Sequence, residues 1–367
     1  MVQVTPELLT HADGTAVSAG SWARRREELL QAIVPHEYGG LPPAGDGTRA
    51  VRLCTQTVGG GQGLRFVSCE VRTGFASGRE HAFALSLWVP PGEGPFPVIL
   101  DGDGCWRYFD DAAVRAVVGR GYIAASFNRT AMAADDHRTY RETGLFRLYP
   151  DAGFGALAAW AWGYHRCVDA LSQLDWVRAD QVAITGHSRG GKAVLLAGAT
   201  DPRIALTNPN DSGIGGSGLN RWKCAGAEVV DDFFRAGSIF WFGRGWGEYR
   251  YRDGQLPYDQ HFLHALVAPR LLLINEAYED PGANPPGSYA ACQAALAVYR
   301  LLEAPDRLGW AIREGGHGHY PADFEALLDF ADVHLGSRSL RRNFQRPLYP
   351  QLDQLLERRQ ALPGDRP

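Results

Sequence analysis

The chain begins its regular structure with three segments in which apolar residues alternate with polar ones. These segments are residues 49–58, 65–71 and 81–89. A period of two places the apolar side chains on one face of a strand. The pattern predicts three antiparallel strands at one edge of a sheet.

From residue 96 onward, short apolar runs alternate with stretches of helical pattern. The runs are residues 96–104, 122–127, 181–185, 204–208, 270–275 and 309–314. Short, continuously apolar runs separated by helices are typical of buried parallel strands. We therefore predict an α/β protein whose mainly parallel central sheet carries antiparallel N-terminal edge strands. Helices on both faces would make it a three-layer α/β/α sandwich.

Two long insertions interrupt this alternation. Residues 129–150 are polar, and residues of about 212–260 are rich in glycine and aromatic side chains. Long insertions at strand ends usually build binding or catalytic sites. No linker or charged tract divides the chain between residues 50 and 340. We therefore expect residues 1–367 to form one domain with an N-terminal extension of about residues 1–45.

Composition and charge narrow the kind of partner. The chain has 367 residues, of which 45% are hydrophobic, a net charge of −4 and a pI near 6.3. This balance argues against nucleic acid or an anionic membrane as the main partner. We expect a monomer that binds a small molecule or glycan ester. The N-terminus MVQVTPELLT lacks the pattern of a secretory signal, so we expect either a cytoplasmic protein or one whose signal has been removed.

Residues 186–190 read GHSRG, which fits G-x-S-x-G between a predicted strand and a predicted helix. A nucleophile on such a tight turn needs small neighbours, because a Cβ at either glycine would crowd the strained backbone. At the helix start, unpaired backbone N–H groups can face a developing oxyanion. The motif predicts that Ser188 is a nucleophile, with an ordinary turn serine as the alternative.

A serine nucleophile needs a base, and the base needs an acid that orients it. His317 and His319 both follow the last predicted strand. A metal site is not favoured, because no cluster supplying a third ligand accompanies these histidines, and we expect no metal or organic cofactor. Carboxylates follow the next two strands after Ser188: Asp211, Glu276, Glu279 and Asp280. The pattern alone does not choose among them.

Two cations follow the serine at once. Arg189 and Lys192 lie in the first turn of a helix, whose positive end disfavours them. Either both side chains reach water, or they bind negative charge or sugar hydroxyls beside Ser188. The second reading makes them candidate substrate-site residues.

Five motifs together resemble the glucuronoyl esterases of carbohydrate esterase family fifteen, bacterial-type, in the α/β-hydrolase superfamily. They are AWAWGYHR (159–166), ITGHSRGGKA (184–193), NPNDSGIGGSG (208–218), LPYDQHFLHALVAPR (256–270) and GGHGHYP (315–321). The likeness runs from about residue 10 to 336. It implies an α/β-hydrolase fold and a serine esterase that acts on an alkyl or aryl ester of (4-O-methyl-)glucuronic acid, as in lignin-carbohydrate linkages.

The resemblance also implies roles for single residues. Ser188 would be the nucleophile, Arg189 would help to stabilise the oxyanion, and Lys192 would contact the sugar. The proline four residues beyond His317 matches the family's spacing, which favours His317 over His319 as the base.

The position of the acid that orients the histidine varies more among members of the family. Asp211 falls where the family usually has a glutamate, so it is the expected acid with one methylene less reach. Some bacterial relatives carry an acid after the next strand, so Glu279 or Asp280 can substitute. Trp241 and Tyr278 are the aromatic residues that we assign to substrate binding. Tyr278 stands where the family has a tryptophan.

His187 replaces a cysteine that precedes the nucleophile in fungal members, a change that bacterial-type members tolerate. Two other departures bear on the identity of the sugar: residues 235–243 lack an acidic residue that helps to hold the glucuronate in the family, and Tyr278 replaces the tryptophan. An acetyl (xylan) esterase or an intracellular carboxylesterase of the same fold is therefore the alternative function. A catalytically inactive module that binds glycans is the alternative of another class.

Overall fold

The computed structural model describes residues 6–58, 63–336 and 342–350. The first five residues of the predicted N-terminal extension and the last seventeen of the predicted domain lie outside these ranges. The described residues contain a nine-stranded sheet in the order β1-β2-β3-β5-β4-β6-β7-β8-β9. The strands are β1 (Gly47–Val58), β2 (Leu64–Gly74), β3 (Glu80–Val89), β4 (Phe96–Asp101), β5 (Ile123–Phe127), β6 (Val177–His187), β7 (Leu206–Asn210), β8 (Leu271–Ala277) and β9 (Leu308–Arg313). Every strand predicted from the sequence is present.

The pairing also follows the prediction. β1, β2 and β3 pair antiparallel in sequence, and β3 pairs antiparallel with β5. The remaining neighbours, from β5 through β4 to β9, are parallel. Because parallel strands end at the same edge, the loops after β4, β6, β7, β8 and β9 all meet at one edge of the sheet.

Helices cover both faces of the sheet. They are α1 (Trp22–Tyr38), α2 (Asp111–Gly119), α3 (Ala156–Leu171), α4 (Arg189–Thr200), α5 (Val230–Arg235), α6 (His261–Val267), α7 (Pro285–Leu301) and α8 (Pro321–His334). Neighbouring strand residues enter opposite layers: Ile99 packs in the cluster that contains Val117 of α2 and Phe330 of α8. Leu100 packs in the cluster that contains Trp160 of α3 and Leu195 of α4. The predicted three-layer sandwich of the α/β-hydrolase fold is confirmed.

The insertions lie at the carboxyl edge of the parallel strands. Residues 129–150 form short 3-10 turns after β5, and residues 212–260 contain α5 with further 3-10 turns. The two insertions meet where Trp241 Nε1 donates a hydrogen bond to Asp135. Within the described ranges, no helix is both long enough and apolar enough to cross a bilayer.

Candidate active site

Ser188 occupies a sharp turn between β6 and α4. Its backbone has φ 56° and ψ −120°, in the region that non-glycine residues rarely adopt. A Cβ on Gly190 would lie 2.3 Å from Oδ1 of Asp103, and one on Gly186 would lie 3.1 Å from the backbone of Gly190. A Cβ at Gly190 would therefore clash, whereas one at Gly186 would require its neighbour to move by a few tenths of an ångström.

Neighbouring strand ends hold this turn. The N–H of Ser188 donates to the carbonyl of Asn210 at 2.9 Å. The N–H of His187 donates to Oδ2 of the buried Asp103 at 2.7 Å. The His187 ring donates from Nδ1 to Oδ1 of Asn210 at 2.6 Å. These bonds from β4 and β7 compensate the strained backbone and fix the direction of the serine side chain.

His317 lies beside the serine turn and is paired with Asp280. Its Nδ1–H donates to Oδ2 of Asp280 at 2.6 Å, and its side chain is 48% exposed. That hydrogen bond raises the pKa of His317, although partial burial opposes the rise. The pairing leaves Nε2 available as a proton acceptor, which is the tautomer that a general base requires.

His319, the other candidate base, is in an apolar environment. It is buried, its ring stacks on Phe324 at 4.1 Å, and neither ring nitrogen has a hydrogen-bond partner. Burial lowers the pKa of His319 well below its ordinary value. The geometry therefore favours His317, in agreement with the preference drawn from the family's spacing.

The expectation for Asp211 was wrong in one respect, because Asp211 is not the hydrogen-bond partner of His317. Its Oδ2 accepts from Nη2 of Arg313 at 2.8 Å, and its Oδ1 is buried without a partner. Burial, followed by the charge of Glu276, raises the pKa of Asp211, whereas Arg313 opposes the rise. Arg313 lies at the end of β9 and binds the short carboxylate, so Asp280 from the loop after β8 pairs with the histidine.

The other carboxylates at the end of β8 and just after it have different surroundings. Glu279 is exposed, so its side chain does not share the buried position of Asp280. Glu276 is buried and accepts a hydrogen bond from Ser217 Oγ at 2.6 Å. Of the acids that the sequence offered after this strand, Asp280 alone pairs with His317 within the described part of the chain.

Ser188 and His317 open into one cavity of about 220 Å³. Its lining comes from the loops after β6, β7, β8 and β9 and from the second insertion: Ser188, Arg189, Lys192, Asp211, Ser212, Gly213, Glu228, Trp241, Asp280, Gly282, Ala283 and His317. A larger cavity of about 780 Å³ lies at the opposite ends of the strands, near Ala205 and Leu271, and does not contain the serine. The smaller cavity therefore contains the candidate nucleophile and base.

Lys192 and Glu228 form a polar wall of this cavity. Lys192 is buried, and its Nζ donates to the carbonyl of Ile214 at 2.8 Å and to that of Ser212. The same Nζ lies 3.8 Å from Oε2 of Glu228, and burial lowers the pKa of the ammonium. Sequence reasoning missed Glu228: it searched residues 235–243 for an acid, and the irregular loop before α5 gave no periodic signal. Glu228 supplies a carboxylate to the cavity from there.

Arg189 and Trp241 form another side. The Arg189 guanidinium lies 4.7 Å from the ring centre of Trp241 and 5.7 Å from that of Trp106. Both Arg189 and Trp241 line the cavity. Tyr278 does not line it, and its 42% exposed side chain packs near Tyr349. Substrate binding by Trp241 and Tyr278 stays a prediction.

Asp211, Asp280 and His317 could in principle hold a cation. One ligand atom of each lies within 4.8 Å of the others. However, Asp280 and His317 are hydrogen-bonded to each other, and the Arg313 guanidinium already neutralises Asp211. These groups are arranged as a proton-transfer pair with a separate ion pair, which differs from a set of free metal ligands.

Comparison with known proteins places this geometry in a family. A family model described as glucuronyl esterase, fungi, matches residues 73–303. A 4-O-methyl-glucuronoyl methylesterase from Schizophyllum commune is 32% identical over 338 residues, which cover 88% of this chain and 80% of that protein.

Solved structures agree with the sequence comparisons. A carbohydrate esterase family 15 glucuronoyl esterase from Caldicellulosiruptor kristjansonii has a TM-score of 0.83 and 31% identity, covering 95% of each chain. A mutant glucuronoyl esterase from Sporotrichum thermophile in complex with methyl 4-O-methyl-β-D-glucopyranuronate has a TM-score of 0.75 and 26% identity, covering 92% of this chain and 89% of that one. These matches confirm the resemblance carried by the five motifs. The chain belongs to the glucuronoyl esterases of carbohydrate esterase family 15.

Proposed function

We propose that this protein is a serine esterase that hydrolyses an alkyl or aryl ester of glucuronic acid, with 4-O-methyl-glucuronate as the favoured acid. The observation that carries the proposal is one cavity that brings Ser188 and His317 together with Lys192 and Glu228. A hydrolytic pair beside a charged wall suits an acyl group that is itself a polar sugar. The ligand named in the Sporotrichum thermophile complex supports the choice of sugar.

The first step is attack by Ser188. Its Oγ bonds to the ester carbonyl carbon while its proton passes to Nε2 of His317. Asp280 accepts the Nδ1–H bond throughout and stabilises the imidazolium that forms. The carbonyl oxygen becomes an oxyanion as its double bond opens.

The start of α4 receives this oxyanion. Backbone N–H groups in the first turn are unpaired within a helix and point out of its N-terminus. The Arg189 side chain lines the same cavity and adds a positive charge. The two together stabilise negative charge that exists only in the transition state and the tetrahedral intermediate, so they act on kcat.

The reaction is then completed in two stages, with an ester of Ser188 between them. The bond to the alcohol breaks, and the departing oxygen takes the proton from Nε2 of His317, leaving a glucuronoyl ester on Ser188. A water molecule attacks that acyl carbon and gives its proton to the same nitrogen. When the second intermediate collapses, the proton returns to Ser188 Oγ, and the uronic acid is released.

Lys192 and Glu228 recognise the sugar. An ammonium donates to hydroxyl oxygens and a carboxylate accepts from hydroxyl protons, so the pair binds neighbouring hydroxyls of a pyranose ring. Two donors of Lys192 are fixed by carbonyls, which holds its remaining donor in one direction. Trp241 supplies an apolar surface against the same acyl group.

The test compares wild type with Ser188→Ala on a benzyl glucuronate ester. We expect kcat/KM to fall by at least about 10³-fold with an unchanged melting temperature, the size seen on losing a triad member. Ser172→Ala, at an exposed serine after α3, is the matched control and should retain full activity. A serine-directed phosphonate should label Ser188 in wild type, and retained turnover in Ser188→Ala would reject the proposal.

A panel of ester substrates tests which acyl group the enzyme accepts. Methyl and benzyl glucuronate esters should be cleaved with higher kcat/KM than acetylated xylan or nitrophenyl acetate. If the acetyl esters are cleaved better, the protein is an acetyl esterase of the same fold and chemistry. If none of the esters is cleaved and the phosphonate leaves Ser188 unlabelled although the protein is folded, the protein is catalytically inactive, as the alternative of a glycan-binding module requires.

A further inference from the structure

Asp135 is a carboxylate that contacts two sides of the cavity at once. It lies in the insertion of residues 129–150, and its side chain is 12% exposed. Its Oδ2 accepts from Nη1 of Arg189 at 3.1 Å, and its Oδ1 accepts from Nε1 of Trp241 at 3.0 Å. One side chain therefore bridges the guanidinium and the indole that line the cavity.

Asp135 is itself anchored from behind. Nη2 of the fully buried Arg129 lies 3.5 Å from Oδ2 of Asp135, and Nε of Arg129 donates to Oδ1 of Asp103 at 2.7 Å. The Arg129 guanidinium also lies 4.2 Å from the ring centre of Trp160. Since Asp103 accepts from the N–H of His187, alternating charges run from the serine turn to Arg189.

This series of charged contacts matters because an arginine side chain is flexible. A guanidinium stabilises an oxyanion efficiently only if its donors already point at the place where the charge develops. Stacking near Trp106 and Trp241 restricts the plane of the Arg189 guanidinium. The bond to Asp135 restricts its rotation within that plane.

We infer that Asp135 is a positioning residue that fixes Arg189, and the Trp241 wall beside it, for stabilisation of the oxyanion. Asp135 does not line the cavity that contains Ser188, and it acts through Arg189. The inference rests on the proposed function, because it assumes that Ser188 forms an oxyanion beside Arg189.

Asp135→Asn tests the inference, since the amide keeps the shape and removes the charge. Loss of one oxyanion donor lowers kcat by about 10²- to 10³-fold. We expect Arg189→Ala in that range, and Asp135→Asn to lower kcat by about 10- to 100-fold with little change in KM. We calculate kcat per active site, and the active sites are counted by titrating Ser188 with a phosphonate. Misfolded protein then lowers the number of active sites but leaves kcat per site unchanged.

Asp136→Asn is the matched control. Asp136 is the next residue, its side chain is 49% exposed, and its Oδ1 accepts from the backbone N–H of Arg138. Asp136 is also an aspartate in the same insertion, but its side chain makes no hydrogen bond to Arg189. We expect its turnover per titrated site to stay within about twofold of wild type.

The decisive measurement is the double variant. If Asp135 acts through Arg189, adding Asp135→Asn to Arg189→Ala should cost less than about twofold further. A full, multiplicative loss in the double variant would overturn the inference, as would wild-type kcat in Asp135→Asn. If Asp135→Asn does not fold, Asp135→Glu keeps the charge but moves the carboxylate by one methylene, and it should lower kcat only while Arg189 is present. Activity in Ser188→Ala would refute the proposed function instead.

Discussion

Replacement of Asp280 by asparagine tests the acid of the proposed triad. Asp280 accepts from Nδ1 of His317 at 2.6 Å, and this bond is the first cause of the raised pKa of His317. The amide of Asn at position 280 can donate to Nδ1 of His317, which places the ring proton on Nε2. In that tautomer, Nε2 cannot accept the proton of Ser188. In a serine protease that change costs about 10⁴-fold in kcat. Asp211 lies close enough to share the histidine, so we expect a loss of about 10³-fold.

Asp211→Asn is the comparison. Its carboxylate binds Arg313 and has no hydrogen bond to His317. The change alters one partner of a buried hydrogen bond to Arg313, so it should reduce stability more than catalysis, and we expect kcat/KM to fall by less than about tenfold. The double variant should be worse than Asp280→Asn alone.

The pH profile gives an independent reading of the same pair. The base must be neutral to accept a proton, so kcat/KM falls as pH drops through the pKa of His317. Because that pKa is raised above 6.5, the acid limb of wild type should have its midpoint above pH 6.5. Asp280→Asn removes the largest cause of the rise, and its residual activity should have a midpoint at lower pH. Asp211→Asn should lower the midpoint less than Asp280→Asn does, because Asp211 is a smaller cause of the rise.

The assay is kcat/KM for a benzyl glucuronate ester across the pH range, with melting temperatures for each variant. The reasoning is refuted if Asp211→Asn is inactive while Asp280→Asn is near wild type. In that case the acid after β7 orients the histidine during catalysis, whatever the pairing in the free protein.

Two further predictions concern Lys192 and Gly190. Lys192→Ala should lower kcat/KM for a glucuronate ester by about 10- to 100-fold, the cost of a lost charged hydrogen bond. Nitrophenyl acetate, which lacks the sugar hydroxyls, should change by less than about threefold, and an equal loss on both substrates would assign Lys192 a structural role only. Gly190→Ala places a Cβ 2.3 Å from Oδ1 of Asp103, so it should lower the free energy of unfolding by about 1–3 kcal/mol and abolish turnover. A variant with wild-type melting temperature and activity would show that the turn can relax.

The strands and the serine turn were available from the sequence because each depends on local pattern. Alternation marked β1 to β3, and short apolar runs marked the parallel strands, since burial on one face or both selects those periods. The glycines around Ser188 report a steric need within five residues. The family resemblance added the preference for His317 over His319 and the role of Lys192, which lines the cavity.

Only the tertiary structure decided which acid meets the histidine. Asp211 and Asp280 follow neighbouring strands and are equivalent in sequence terms, but Arg313 from the end of β9 binds the first and leaves the second for His317. The places of Glu228 and Asp135 likewise depend on how two irregular insertions fold back over the strand ends. Such contacts join residues far apart in the chain, and no local periodicity encodes them, because the packing of several loops at one sheet edge sets the distances.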